Sequence, residues 1–113
     1  MNEGIVLYKE WQKLDLRVGK ILSVEDHPDA DKLYLLEVDV GESGKRKLVA
    51  GLKKFYKPKE LKGKLCVVFL NLEPAVLRGV KSEGMLLAAG DEKEENVVLI
   101  CPDDKIELGA RIV

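Results

Sequence analysis

The stretch Leu16–Val24, LRVGKILSV, decides the architecture. Its branched apolar residues suit a strand, yet Gly19 sits in the middle of it. A glycine inside a strand marks a bulge or a sharp coil, so this strand is expected to bend there and to serve two sheets of a small barrel. Working outward, HPDADK at 27–32 is a turn cluster, and Leu33–Val40 follows as a second strand. Tyr34, Leu36, Val38 and Val40 fall on one face of it, Glu37 and Asp39 on the other. Gly41–Gly44 reads as a hairpin turn and Arg46–Ala50 as the returning strand. Pro58–Leu61 reads as a short helical turn. Lys64–Leu70 has almost no polar interruption, which predicts a strand buried on both faces. A short strand at Val76–Lys81 leads into Met85–Ala89, and Val97–Ile100 closes the series after an acidic loop at 91–96. Many short strands with glycine-marked turns and little helix predict a closed antiparallel barrel or a sandwich.

The bend at Gly19 and the short helix between the third and fourth strands favour the barrel, of the five-stranded OB type. The expectation is therefore an all-β OB-fold with short flanking helices and a C-terminal extension. With 113 residues there is room for one domain only, divided here into a helical or turn segment at 1–14 and a barrel with its extension at 15–113. In the first segment Val6, Tyr8, Trp11 and Leu14 share one side of an amphipathic turn, with Trp11 as its anchor. The net charge of −1 hides a strong asymmetry. Between Gly44 and Lys81 stand eleven Lys or Arg against two acids, a net of +9, while the other residues carry eight basic and eighteen acidic groups, a net of −10. A basic middle segment on an acidic body suits a polyanionic partner.

The motifs of catalysis and metal binding fail on inspection. GESGK at 41–45 lacks the first glycine and the final Ser or Thr of a phosphate-binding loop. Asp26, Asp29 and Asp31 lack the spacing of a calcium loop and read as turn and cap residues. His27 is the sole histidine and reads as a structural turn residue. The sole histidine could serve only one of Ser23, Ser43 and Ser82 as a base, and nothing in the sequence favours such a pairing. Cys66 lies in an apolar run and reads as a buried structural thiol, and the pair Cys66 and Cys101 has no zinc-type spacing. The chain is thus expected to have no catalytic activity of its own, no metal and no cofactor. It carries neither a signal pattern nor an apolar run of membrane-spanning length, so the expected compartment is the cytoplasm and no membrane partner is expected.

The positive signal is charge beside rings. Lys53, Lys54, Phe55, Tyr56 and Lys57 are consecutive. Lysines neutralise phosphates and rings stack on unpaired bases, but Phe55 and Tyr56 are expected rather to close the bottom of the barrel. Further along, NLEPAVLRGVKSEGMLLAA at 71–89 sets Arg78 and Lys81 among polar side chains and glycines. Such a polar, basic loop suits a phosphate-rich ligand.

DLRVGKI at 15–21, HPDADKL at 27–33, LVAGL at 48–52 and the block at 71–89 together resemble the tRNA-binding domain. That domain is appended to methionyl-tRNA synthetases, occurs as a freestanding structure-specific tRNA-binding protein, and is similar to the domain of the endothelial monocyte-activating polypeptide. The resemblance implies an OB-fold that binds tRNA by shape, a homodimer built from the chain ends, and a role as an auxiliary domain or subunit of a methionyl-tRNA synthetase or as a free tRNA binder. It places Lys32, Asn71, Arg78, Ser82 and Met85 on the tRNA face. Lys53, Lys54 and Lys81 join them on charge alone. Glu83 departs from the family pattern and is expected to face away from RNA. The competing readings are a general single-strand nucleic-acid binder on the same fold and a dimerisation or scaffold module.

Overall fold

The computed structural model describes residues 4–93 and 95–113. The first three positions of the expected N-terminal segment, and Glu94 of the acidic loop, lie outside them. Helix α1 (Tyr8–Trp11) leads into strands β1 (Leu16–Asp26), β2 (Tyr34–Asp39) and β3 (Lys45–Ala50). Helix α2 (Pro58–Leu61) precedes β4 (Leu65–Phe69), and β5 (Ala75–Leu77), β6 (Val80–Ser82), β7 (Met85–Leu86), β8 (Ala88–Gly90) and β9 (Val97–Leu99) complete the chain. Five strands form one antiparallel sheet in the order β3-β2-β1-β4-β7, nearly closed into the expected OB-type barrel.

The long first strand makes the closure possible. β1 pairs with β4 over Leu16–Lys20 and with β2 over Lys20–Asp26, so Lys20 faces both Leu65 and Asp39. The register shift falls between Ile21 and Ser23, not at Gly19. Gly19 has a different task, because a Cβ there would lie 2.7 Å from Val38 Cγ1. The glycine lets β1 and β2 cross at close range, and the bulge two residues later turns the strand.

Strict alternation in β2 and burial of both faces of β4 fill the interior. Leu16, Val18 and Ile21 of β1, Tyr34, Leu36 and Val38 of β2, Leu48 of β3 and Cys66 to Val68 of β4 are buried. Leu61 of α2 is fully buried under the barrel. Pro58 starts that helix and the Glu60 carboxylate accepts the Lys57 amide at 2.7 Å, which satisfies a free donor of its first turn. Burial pushes the Cys66 thiol up to about 12, with Cys101 adding to the effect, so it is neutral around neutral pH; its S–H donates to Gly19 O. Both cysteines are free thiols.

The expected strand at Val76–Lys81 is instead a tight hairpin, β5–β6, whose two turn residues are Arg78 and Gly79. Both have positive φ, 51° and 87°, as a two-residue type I′ turn requires. The C-terminal segment adds a further edge to β1. Gly109 and Ile112 donate to Val18 O and Leu16 O, and Val18 donates to Ala110 O, at 2.8–2.9 Å. Arg111 reaches the carbonyls of Gln12 and Leu14 and so ties the end of α1 to this tail.

Candidate nucleic-acid interface

The turn after β1 is organised by His27, which is only 4% exposed. Its Nδ1 accepts the Asp29 amide at 3.0 Å, and its Nε2 lies 3.0 Å from Leu77 O. An amide can only donate and a carbonyl only accept, so the ring is the neutral Nε2–H tautomer. The turn is closed by the His27 amide on Leu33 O at 3.1 Å. His27 thereby joins the turn that carries Lys32 to the hairpin that carries Arg78.

Lys32 and Arg78, distant in sequence, consequently line one cavity of about 340 Å³ together with Ala30, Asp31 and Leu33. Both cationic residues are exposed. Arg78 is the one non-glycine residue with positive φ among the described residues. A bulky side chain in that conformation costs of order 1 kcal/mol, a strain more often kept at functional sites than elsewhere.

Lys81, on the opposite strand of the hairpin, lines a second groove of about 270 Å³. Ser23, Glu25, Glu37 and Lys47 share it, on the outer face of β1, β2 and β3. Lys53 pairs at 3.2 Å with Asp26, the residue before His27. Lys54 is exposed, and Met85 on β7 is 47% exposed.

Two of the residues selected from sequence make hydrogen bonds within the fold, Ser82 buried and Asn71 exposed. Ser82 is 4% exposed; its hydroxyl accepts the Val49 amide at 2.9 Å and donates to Gly84 O at 2.9 Å. Asn71 accepts the Asp15 amide at 2.8 Å and donates to Lys13 O at 2.7 Å, which pins the N-terminal segment to the barrel. Tyr56 acts likewise: its hydroxyl accepts the Leu99 amide at 3.0 Å and its carbonyl accepts the Tyr34 hydroxyl at 2.7 Å. Of the two roles open to Tyr56, the barrel-closing one is what its contacts serve.

The match to the tRNA binding domain model spans residues 16–111, the whole barrel and its C-terminal edge. The chain belongs to the tRNA-binding domain family. Its sequence is 57% identical to methionine–tRNA ligase of Pyrococcus horikoshii and 59% identical to that of Thermococcus kodakarensis, over 95% of this chain and 14% of each ligase. The chain therefore spans about a seventh of the length of these curated relatives. Among solved structures it is similar to a MetRS-related protein of Pyrococcus horikoshii, with TM-score 0.88 and 33% identity, covering 96% of this chain and 98% of that one. The chaperone CsaA of Bacillus anthracis gives TM-score 0.86 and 31% identity, covering 96% and 99%.

Two features of this tRNA-binding domain escape its sequence. One is the seam that closes the barrel: Glu83 donates its amide to Lys47 O at 2.8 Å and accepts the Lys47 amide on its carboxylate at 3.0 Å, while Arg46 reaches Leu70 O and Glu83 O. The departure from the family pattern at Glu83 is thus occupied at the seam. The other is the reach of His27 to Leu77, fifty residues away. Neither has a local pattern, because both depend on how the sheet curls.

Proposed function

We propose that this domain holds folded tRNA by charge and outline rather than by base sequence. It would do so as an auxiliary domain or subunit of a methionyl-tRNA synthetase, or free, in the cytoplasm where tRNA is. The observation that carries the reading is the meeting of Lys32 and Arg78 across one cavity, with Lys81 on the same hairpin. Exposed cations on a barrel rim attract the dense charge of a folded RNA, and recognition of RNA outline needs few base contacts. Lys53, Lys54, Asn71, Ser82 and Met85 remain candidates for the same role: Lys54 and Met85 are exposed, Lys53 is paired with Asp26, and Asn71 and Ser82 are tied by hydrogen bonds to Asp15 and Val49. A weak site of this kind, tethered to a synthetase body, assists by raising local tRNA concentration and needs no chemistry of its own. Gel-shift titration with mixed tRNA, in competition with an unstructured oligonucleotide of equal length, tests it. Folded tRNA should win; victory of the oligonucleotide would leave the general single-strand binder standing.

The homodimer implied by the resemblance has its own support. Val6, Tyr8, Trp11 and Leu14 line one open surface cavity, joined there by Glu10 and Lys13, and Trp11 and Leu14 are half-buried. Val6 and Tyr8 are 69% and 73% exposed, and Val113 is fully so. Uncovered apolar groups at both chain ends suit a partner copy. Light scattering should give twice the chain mass, and V6D/Y8D should give the single mass; a monomer in the unaltered chain overturns the dimer. No helix among the described residues is long and apolar enough to cross a membrane.

A further inference from the structure

We infer that His27 is a positioning residue for tRNA: it holds the hairpin tip so that Arg78 faces Lys32 across a gap that a phosphate can enter. This rests on the tRNA reading above. The hairpin β5–β6 is a two-stranded sheet apart from the barrel sheet, and all three residues of β5 are exposed. Its β6 strand is fastened at the base, through Ser82 to Val49. At the tip the fastening is the His27 ring to Leu77 O, immediately before Arg78. The ring is itself locked by the Asp29 amide on its other nitrogen. A single buried imidazole therefore relates the turn bearing Lys32 to the turn bearing Arg78. The ring's hydrogen bonds go to Leu77 and Asp29, neither an expected RNA contact; it acts through the two residues it spaces. Asp31, which also lines the cavity, repels an incoming phosphate, so the two cations must be presented together to prevail.

The two nitrogens can be tested separately. In His27→Asn the side-chain oxygen can still accept the Asp29 amide but cannot reach Leu77. In His27→Gln the amide nitrogen reaches the place of Nε2 and can donate to Leu77 O. Backbone order parameters from NMR, without RNA, should fall at Arg78 and Gly79 in H27N and recover in H27Q. Loss of one such hydrogen bond predicts tRNA affinity about five-fold lower in H27N, with most of it regained in H27Q. Arg78→Ala should cost less in the H27N background than in the unaltered chain, a non-additivity that general loss of stability would not produce. The inference is overturned if H27N leaves the tip ordered and the affinity intact, or if the two losses simply add. An unaltered chain that retains no tRNA, while H27N still loosens the tip, overturns the tRNA reading and supports the placement by His27.

Discussion

The Ser82 hydroxyl sits 2.9 Å from the Val49 amide, bridging β6 and β3 where their backbones do not pair directly. A side chain here does the work of a ladder hydrogen bond. Replacing it with alanine strands a buried N–H, which costs about 1–3 kcal/mol. Ser82→Ala should lower the thermal midpoint, while tRNA affinity measured well below that midpoint stays within two-fold or so of the original, the scatter of sites that touch no ligand. A large affinity loss in a fully folded S82A protein would return Ser82 to the RNA face.

Gly19→Ala makes a sharper demand. The new methyl would stand 2.7 Å from Val38 Cγ1, between two strands already in register. Overpacking of this kind costs about 1–3 kcal/mol. Chemical denaturation should register it as a lower midpoint with unchanged slope; pairing it with Val38→Ala should recover part of the loss.

Charge reversal at Arg78 and Lys81 together should weaken tRNA binding at least tenfold, since each exchange removes an attraction and adds a repulsion. If about four phosphates are neutralised, affinity of the unaltered domain should fall with salt at a log–log slope of roughly −3. The double variant should show a shallower slope. Both side chains are exposed, so the melting curve should barely move. Arg78→Asn separates conformation from charge, because asparagine tolerates positive φ; it should keep the turn and lose affinity.

Cys66 supplies the pH test. Its thiol is raised by folding to about 12, so the neutral form is favoured in the native state relative to the unfolded one. The stability this gives is fully present below the ordinary thiol range and is lost as pH climbs from about 9 toward 12. Cys66→Ala should flatten the fall over that window in a plot of unfolding free energy against pH. At neutral pH a maleimide should label the exposed Cys101 and reach Cys66 only after unfolding.

The fold was readable wherever two signals coincided. Alternation marked β2, an unbroken apolar run marked β4, and proline followed by a leucine three residues later marked α2, all within a residue of their ends. Arg78 hid the β5–β6 turn because arginine is not a residue that usually takes positive φ there. Gly19 was rightly singled out and given the wrong office, since a bulge and a close strand crossing leave the same mark in sequence. At the site, the resemblance to the tRNA-binding domain pointed to Lys32 and Arg78, but no local signal pointed to the imidazole that links their turns. Ser82 and Asn71 each make two hydrogen bonds within the fold that small polar side chains near a glycine-rich loop do not announce in sequence.

The first strand also acts as a spacer. Its leading residue, Leu16, lies beside the C-terminal edge, and its last, Asp26, adjoins His27. The strand is eleven residues long from one to the other, roughly 30 Å when coiled. Ile112 and the end of α1 therefore lie at the opposite end of β1 from the Lys32 turn, so a tag joined near Ile112 would attach about a strand's length from it.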